Sequence, residues 1–215
     1  MVTRLPEFIS LNGPDNVGKT TQLERLAARS RDFQLLGSVH EHDVEPWRRV
    51  ATDDYAAWWF ERSTTTELTR MLLDSHAKRA NARGVGRVGL LDRGLPMLLA
   101  VSAATCSLKD GLTVPDALAR VVDIAAREAH PPETAILLMP ALDAEESYAI
   151  TSAREARPWT GVYPSYQRTL HQVLLHQAEE GAYTAVVDCE GSSVEGVHAE
   201  VIGNISTAIL ASETH

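Results

Sequence analysis

The run GPDNVGKTT, Gly13 to Thr21, lies between an apolar stretch, FISL, and a helical-looking stretch, QLERLAARS. Gly13, Gly18, Lys19 and Thr20 satisfy the spacing G-x-x-x-x-G-K-[ST], and the flanks supply the strand before and the helix after that this spacing needs. Glycines let the backbone curl, so that the N–H groups around Asn16, Val17 and Gly18 and those of the helix start through Thr21 turn inward and add partial positive charge. Lys19 then meets the outer phosphates of a nucleoside triphosphate, and Thr20 offers its hydroxyl to Mg2+. The plainer reading is a Gly-rich turn whose Thr20 or Thr21 caps a helix.

Such a loop demands an acid beside the metal, at the end of a buried strand next to the first. VGLLDRG supplies one: the apolar run ends in Asp92, placed to hold Mg2+, and Arg93 follows, placed to reach the acceptor. Asp92 is equally suited to cap the helix that begins near Leu95.

Short apolar runs alternate with longer amphipathic ones along the chain. EFISLN, GSVHEHD, GRVGLLD, TAILLMP and AYTAVVD read as five strands, with helical segments between them. This order predicts an α/β fold of three layers, the P-loop NTPase type, with a five-stranded parallel sheet covered by helices on both faces. A length of 215 residues suits a single domain over 1–215. Ligands in such sheets sit at the carboxyl ends of the strands.

Composition narrows the partners. A formal net charge of -9 speaks against a nucleic-acid surface, because phosphate backbones are held by concentrated Lys and Arg. No run of eighteen or more apolar residues appears, and MVTRLPEF lacks a signal-peptide pattern, so no membrane association and a cytoplasmic location are expected. Cys106 and Cys189 are far apart, match no metal spacing, and read as reduced thiols. His40, His42, His171 and His176 form no ligand constellation and read as helix or loop surface.

GTPases carry a guanine-reading Asn-Lys-x-Asp segment, absent here, whereas a small kinase closes a basic lid over its donor. ITSAREARPWTG offers that lid at about 150–162, with Arg154 and Arg157 on one helix face beside a Pro-Trp-Thr-Gly turn.

GPDNVGKTT, LLDRG, the paired arginines and the ending AVVDCEGSSVEGVHAEVIGNI, in that order along almost the whole chain, resemble the thymidylate kinase family of nucleoside monophosphate kinases. The resemblance implies phosphoryl transfer from ATP with Mg2+, and a homodimer. It implies that Lys19, Asp92, Arg93 and Arg154 or Arg157 serve the reacting centre and that Asp15 touches the acceptor's sugar. It further implies that Arg62, in WWFERSTT, meets the acceptor phosphate and that the loop from Cys189 through Gly191 to Ser193 lies against the donor's adenine.

Two acceptor-side motifs depart from that family. An Arg-Glu-Pro-Gly-Gly-Thr stretch is replaced by HEHDVEPWRRV, and DRG is followed by LPMLLAVSAA in place of a Tyr-Gln pair. Glu41, Glu45, Pro46 and Trp47 resemble instead the Glu-Pro and tryptophan cluster of deoxynucleoside kinases, where a carboxylate acts as base on a sugar hydroxyl; as loop acids they are otherwise surface charges. Tyr55, Trp47, Trp58 and Trp59 concentrate aromatic surface there, suited to stacking a base or to packing, with Trp58 the stacking candidate and Tyr166 reaching in from a later helix. The leading expectation is a nucleoside monophosphate kinase. A nucleoside or nucleoside-like hydroxyl acceptor is the alternative, and a nucleotide-binding protein without catalysis is a third reading.

Overall fold

The computed structural model describes residues 6–51, 54–155 and 158–212. Five strands, β1 (Phe8–Asn12), β2 (Phe33–Leu35), β3 (Val88–Asp92), β4 (Glu133–Met139) and β5 (Ala185–Asp188), form one parallel sheet in the order β2-β3-β1-β4-β5. Ten α-helices surround it among the described residues: α1 (Lys19–Arg29), α2 (Val39–His42), α3 (Val44–Val50), α4 (Tyr55–Ala57), α5 (Thr65–Asn81), α6 (Leu95–Asp110), α7 (Val114–Ala125), α8 (Ala144–Ser152), α9 (Tyr163–Glu179) and α10 (Val194–Ser212). A π-helical turn, Trp58–Arg62, joins α4 to the segment before α5.

Strand side chains alternate between faces, and β4 shows the consequence. Ala135, Leu137 and Met139 pack with α5, α6, α7 and α9, whereas Ile136 and Leu138 pack with Leu23 and Leu26 of α1 and Val197, Val201 and Ile205 of α10. Each fully buried Leu or Ile here contributes about 1.5–3 kcal/mol. No described helix is long and apolar enough to cross a membrane.

One strand differs from expectation. GSVHEHD is not β2, which ends at Leu35; Gly37 turns the chain at φ 68 and Ser38 caps α2. Ser38 and Glu41 form a reciprocal capping box, which satisfies two orphan backbone donors and selects helix over strand. The lid also departs from a continuous helix: α8 ends at Ser152 and Arg154 lies in the turn beyond it, while Arg157 falls outside the described residues.

The pairing of β1 with β3 sets the site. Leu11 stands opposite Asp92, so the loop that leaves β1 and the acid that ends β3 emerge side by side.

Candidate active site

Gly13 occupies φ 134, and a Cβ there would meet the Leu138 carbonyl oxygen at 2.1 Å. Only glycine fits so close to β4 in that conformation. Gly18, at φ 102, caps α1 with open space above it. Between them Asn16 takes a left-handed conformation, and Val17 turns into the core beside Ile9 and Leu11. Lys19 is buried, its Nζ donating to the carbonyls of Gly13 at 3.0 Å and Pro14 at 2.7 Å. Burial, followed by the charge of Arg93, lowers its pKa to about 8 against the pull of Asp92 and Asp15. The ammonium therefore keeps its charge at neutral pH.

Thr20 Oγ1 donates to Asp92 Oδ2 at 2.7 Å. A hydroxyl and a carboxylate in contact are hard oxygen ligands of the kind Mg2+ prefers, and these two side chains would hold such an ion. Among the described residues no group of three or more His, Cys, Asp or Glu side chains forms a metal cage.

Arg93 sits at φ 67, a conformation that a non-glycine residue holds only under constraint. The constraint comes from below. Arg79, fully buried near the end of α5, donates to the carbonyls of Asp92 at 3.0 Å, Arg93 at 2.6 Å and Gly37 at 3.2 Å. Asn12 Oδ1 accepts from the Gly94 N–H at 2.8 Å. No motif in the sequence singles out Arg79, whose guanidinium fixes the backbone on which Asp92 and Arg93 stand. Burial lowers its pKa to about 10, with Glu133 and Asp92 opposing, so it stays cationic.

Asp15 leaves the phosphate loop toward the other side. Its carboxylate accepts from Arg93 Nη2, from the Tyr163 hydroxyl and from Gln167 Nε2, the last at 3.1 Å. Burial alone raises its pKa; the charges of Arg93 and Lys19 and the two neutral donors outweigh burial and hold it below the usual carboxylate range. The Arg93 Nε is buried and has no partner among the described residues.

Two cavities meet at this ion pair. The larger, about 770 Å³, runs over Gly18, Lys19, Thr20, Thr21, Asp92 and Arg154. The smaller, about 560 Å³, is walled by Trp47, Tyr55, Trp59, Phe60, Tyr163 and Tyr166. Asp15, His40, Trp59, Arg93 and Val101 line both. The rings are anchored: Trp47 Nε1 donates to Ser75 Oγ at 2.9 Å, and Trp59 Nε1 to Thr105 Oγ1 at 3.0 Å. Satisfied indole donors leave the ring faces to serve as apolar wall. Tyr166, 6% exposed, packs edge-on against Phe60 at 5.2 Å.

The segment expected to form a lid touches the 13–21 loop directly. Arg154 donates to the Asn16 carbonyl, and Asn16 Nδ2 returns bonds to the Thr151 carbonyl at 3.3 Å and Glu155 at 2.8 Å.

Other expected residues lie elsewhere. Trp58 is not on either cavity wall; it packs against Tyr55 and the edges of Trp47 and Trp59. Arg62 is exposed and donates to the Asp54 carbonyl at 2.9 Å. Glu45 is exposed and pairs with Arg48 and Arg49. Glu41 lines the larger cavity, but one carboxylate oxygen accepts from the Ser38 N–H. Cys189 and Gly191 form the turn after β5, outside both cavity walls. His40, read from sequence as surface, stands instead where the cavities join.

No family model matches the sequence, and no curated protein does. Among solved structures, a thymidylate kinase from Candida albicans is similar at a TM-score of 0.67, covering 95% of this chain and 92% of that one at 14% identity. The two chains share the five-stranded parallel sheet with surrounding helices, and the P-loop NTPase fold.

Proposed function

We propose that this protein is a phosphotransferase that moves the γ-phosphoryl group of ATP, in the presence of Mg2+, to a small planar acceptor of the nucleotide or nucleoside class. The observation that carries this reading is the meeting of two cavities at Asp15 and Arg93, one built on a phosphate loop and the other walled by aromatic rings. The loop N–H groups and Lys19 hold the donor phosphates; Arg154 closes on them from the lid. Thr20 and Asp92 would hold Mg2+, which supplies charge neutralisation on the phosphates. Arg93, on the wall of both cavities, faces the transferred group with the exposed part of its guanidinium. The aromatic walls hold the acceptor ring and exclude water, which positions the attacking atom. The fold, shared with a thymidylate kinase, supports a nucleoside monophosphate as acceptor. The placement of Arg62 away from the chamber favours the second reading, a hydroxyl acceptor. Loss of catalysis is disfavoured, because Lys19, Thr20, Asp92, Arg93 and Arg154 converge on one cleft. A homodimer and a single kinase domain remain part of the proposal.

ADP release measured over nucleosides and their monophosphates tests the reading. Asp92→Ala is expected to lower kcat by about 100-fold or more while circular dichroism is unchanged. Near-wild-type kcat in that variant would remove Asp92 from the reacting centre.

A further inference from the structure

The aromatic chamber carries little charge for a site that is to receive a phosphate. Among the described residues, Arg93 is the one lysine or arginine on its wall, and its Nη2 already answers Asp15. A monophosphate would bring about two negative charges to this balanced pair, beside a carboxylate that stays ionised. A neutral hydroxyl meets no such repulsion, yet it profits from a base that removes its proton.

Asp15 is a poor base, because the charge of Arg93 and the Tyr163 and Gln167 donors stabilise its ionised form. One oxygen of the Glu41 carboxylate accepts from the Ser38 N–H, and Glu41 lines the larger cavity and not the aromatic chamber. His40 is differently placed. Its ring lines both cavities and lies 4.1 Å from the Trp47 ring, with Nδ1 2.9 Å from Ser38 Oγ and Nε2 3.3 Å from the Tyr55 hydroxyl. Nδ1–H donates to Ser38 Oγ, which leaves the single lone pair of Nε2 to accept; the tautomer is assigned from the hydrogen-bond network. Burial holds Tyr55 protonated, and its hydroxyl, 3.3 Å from Nε2, gives up that lone pair to the incoming acceptor hydroxyl. Burial, then Arg93, keeps the imidazole below its ordinary pKa against Glu41, hence neutral and able to accept a proton at pH 7. The groups around it are Arg93 from the β3–α6 loop, Tyr55 from α4, Trp47 from α3, Asp15 across the shared wall, and Glu41 and Ser38 of its own segment.

We propose, resting on the phosphotransferase reading, that the acceptor is an uncharged planar-ring alcohol and that His40 Nε2 takes the proton of its attacking hydroxyl. The acceptor O–H bond breaks, with its proton going to Nε2, and the oxygen's electron pair forms a bond to the γ-phosphorus. The bond from that phosphorus to the β–γ bridging oxygen breaks, and its pair leaves on ADP. The products are ADP, a phosphate monoester and an imidazolium that returns its proton to solvent.

The test follows ADP release from ATP with Mg2+, using nucleosides and their 5′-monophosphates as probes, across pH, for wild type, His40→Gln and His40→Ala with added imidazole. The expected result is turnover of a nucleoside and not of its monophosphate, with kcat about 100-fold lower in His40→Gln, KM little changed and the acid limb of the pH profile lost. Imidazole restores turnover to His40→Ala. Higher kcat/KM for monophosphates, wild-type kcat in His40→Gln, or no ADP with any nucleoside would each overturn the proposal. Failure of the underlying phosphotransferase reading is told apart by calorimetry, as wild type that binds ATP no better than Lys19→Ala.

Discussion

Glu133 stands at the start of β4, accepting from Ser10 Oγ at 3.2 Å, and burial pushes its pKa up to about 7 against that bond and the charge of Arg79. A carboxyl whose folded pKa exceeds its unfolded value near 4.5 stabilises the fold fully below the unfolded value. That contribution is lost as pH rises through about 7. Glu133→Gln is therefore expected to melt near wild type at pH 5 and above it at pH 8. A thermal melt at the two pH values checks this; the opposite order would mean that the ionised carboxylate stabilises the fold. At this scale the sequence revealed residues whose role is local. Gly13, Gly18, Lys19 and Thr20 announce themselves because their spacing encodes a backbone conformation. Arg79, Asn12 and His40 do not, because their roles depend on which distant segments become neighbours.

At the scale of elements, α5 does more than cover the sheet. Through Arg79 it fastens the end of β3 and the turn after β2, three carbonyls on two segments. Arg79→Met leaves those acceptors buried without donors, at a cost of about 2–4 kcal/mol. Urea unfolding should show the loss as a lower midpoint, and kcat should fall with it as Asp92 and Arg93 lose their footing. An unchanged midpoint would show that water replaces the guanidinium. The π-helical turn at Trp58–Arg62 explains the exchange of roles among the tryptophans: it leaves Trp59 and Phe60 on the chamber wall and Trp58 and Arg62 off it. Periodicity alone, read at helical spacing through WWFER, could not place them. In the same way GSVHEHD carried an apolar residue at strand-like spacing, and the Ser38–Glu41 cap decided for helix.

The whole molecule brings a phosphate loop, an acid and an aromatic chamber to the carboxyl edge of one parallel sheet. The five-stranded parallel sheet was legible as apolar runs in alternation with helices, except that GSVHEHD stood in for Phe33–Leu35; the chamber was legible only as a concentration of aromatics, since its walls come from α3, α4, the π-helical turn, α6 and α9 together. If the two cavities hold separate substrates, Phe60→Ala, on the wall of the smaller cavity alone, should raise the acceptor KM by about tenfold, equivalent to about 1.4 kcal/mol, and leave the ATP KM nearly unchanged. Equal effects on both KM values would show that the two cavities do not hold separate substrates. The claim beneath all of this is that Lys19 serves a γ-phosphoryl group on its way to an acceptor. Phosphorus NMR of ATP, Mg2+ and the acceptor panel tests it most directly. Wild type should convert the γ-resonance to that of a phosphorylated acceptor, and folded Lys19→Ala should leave it in ATP. Equal conversion by the two proteins, or ATP unchanged by wild type with every acceptor, would contradict the account.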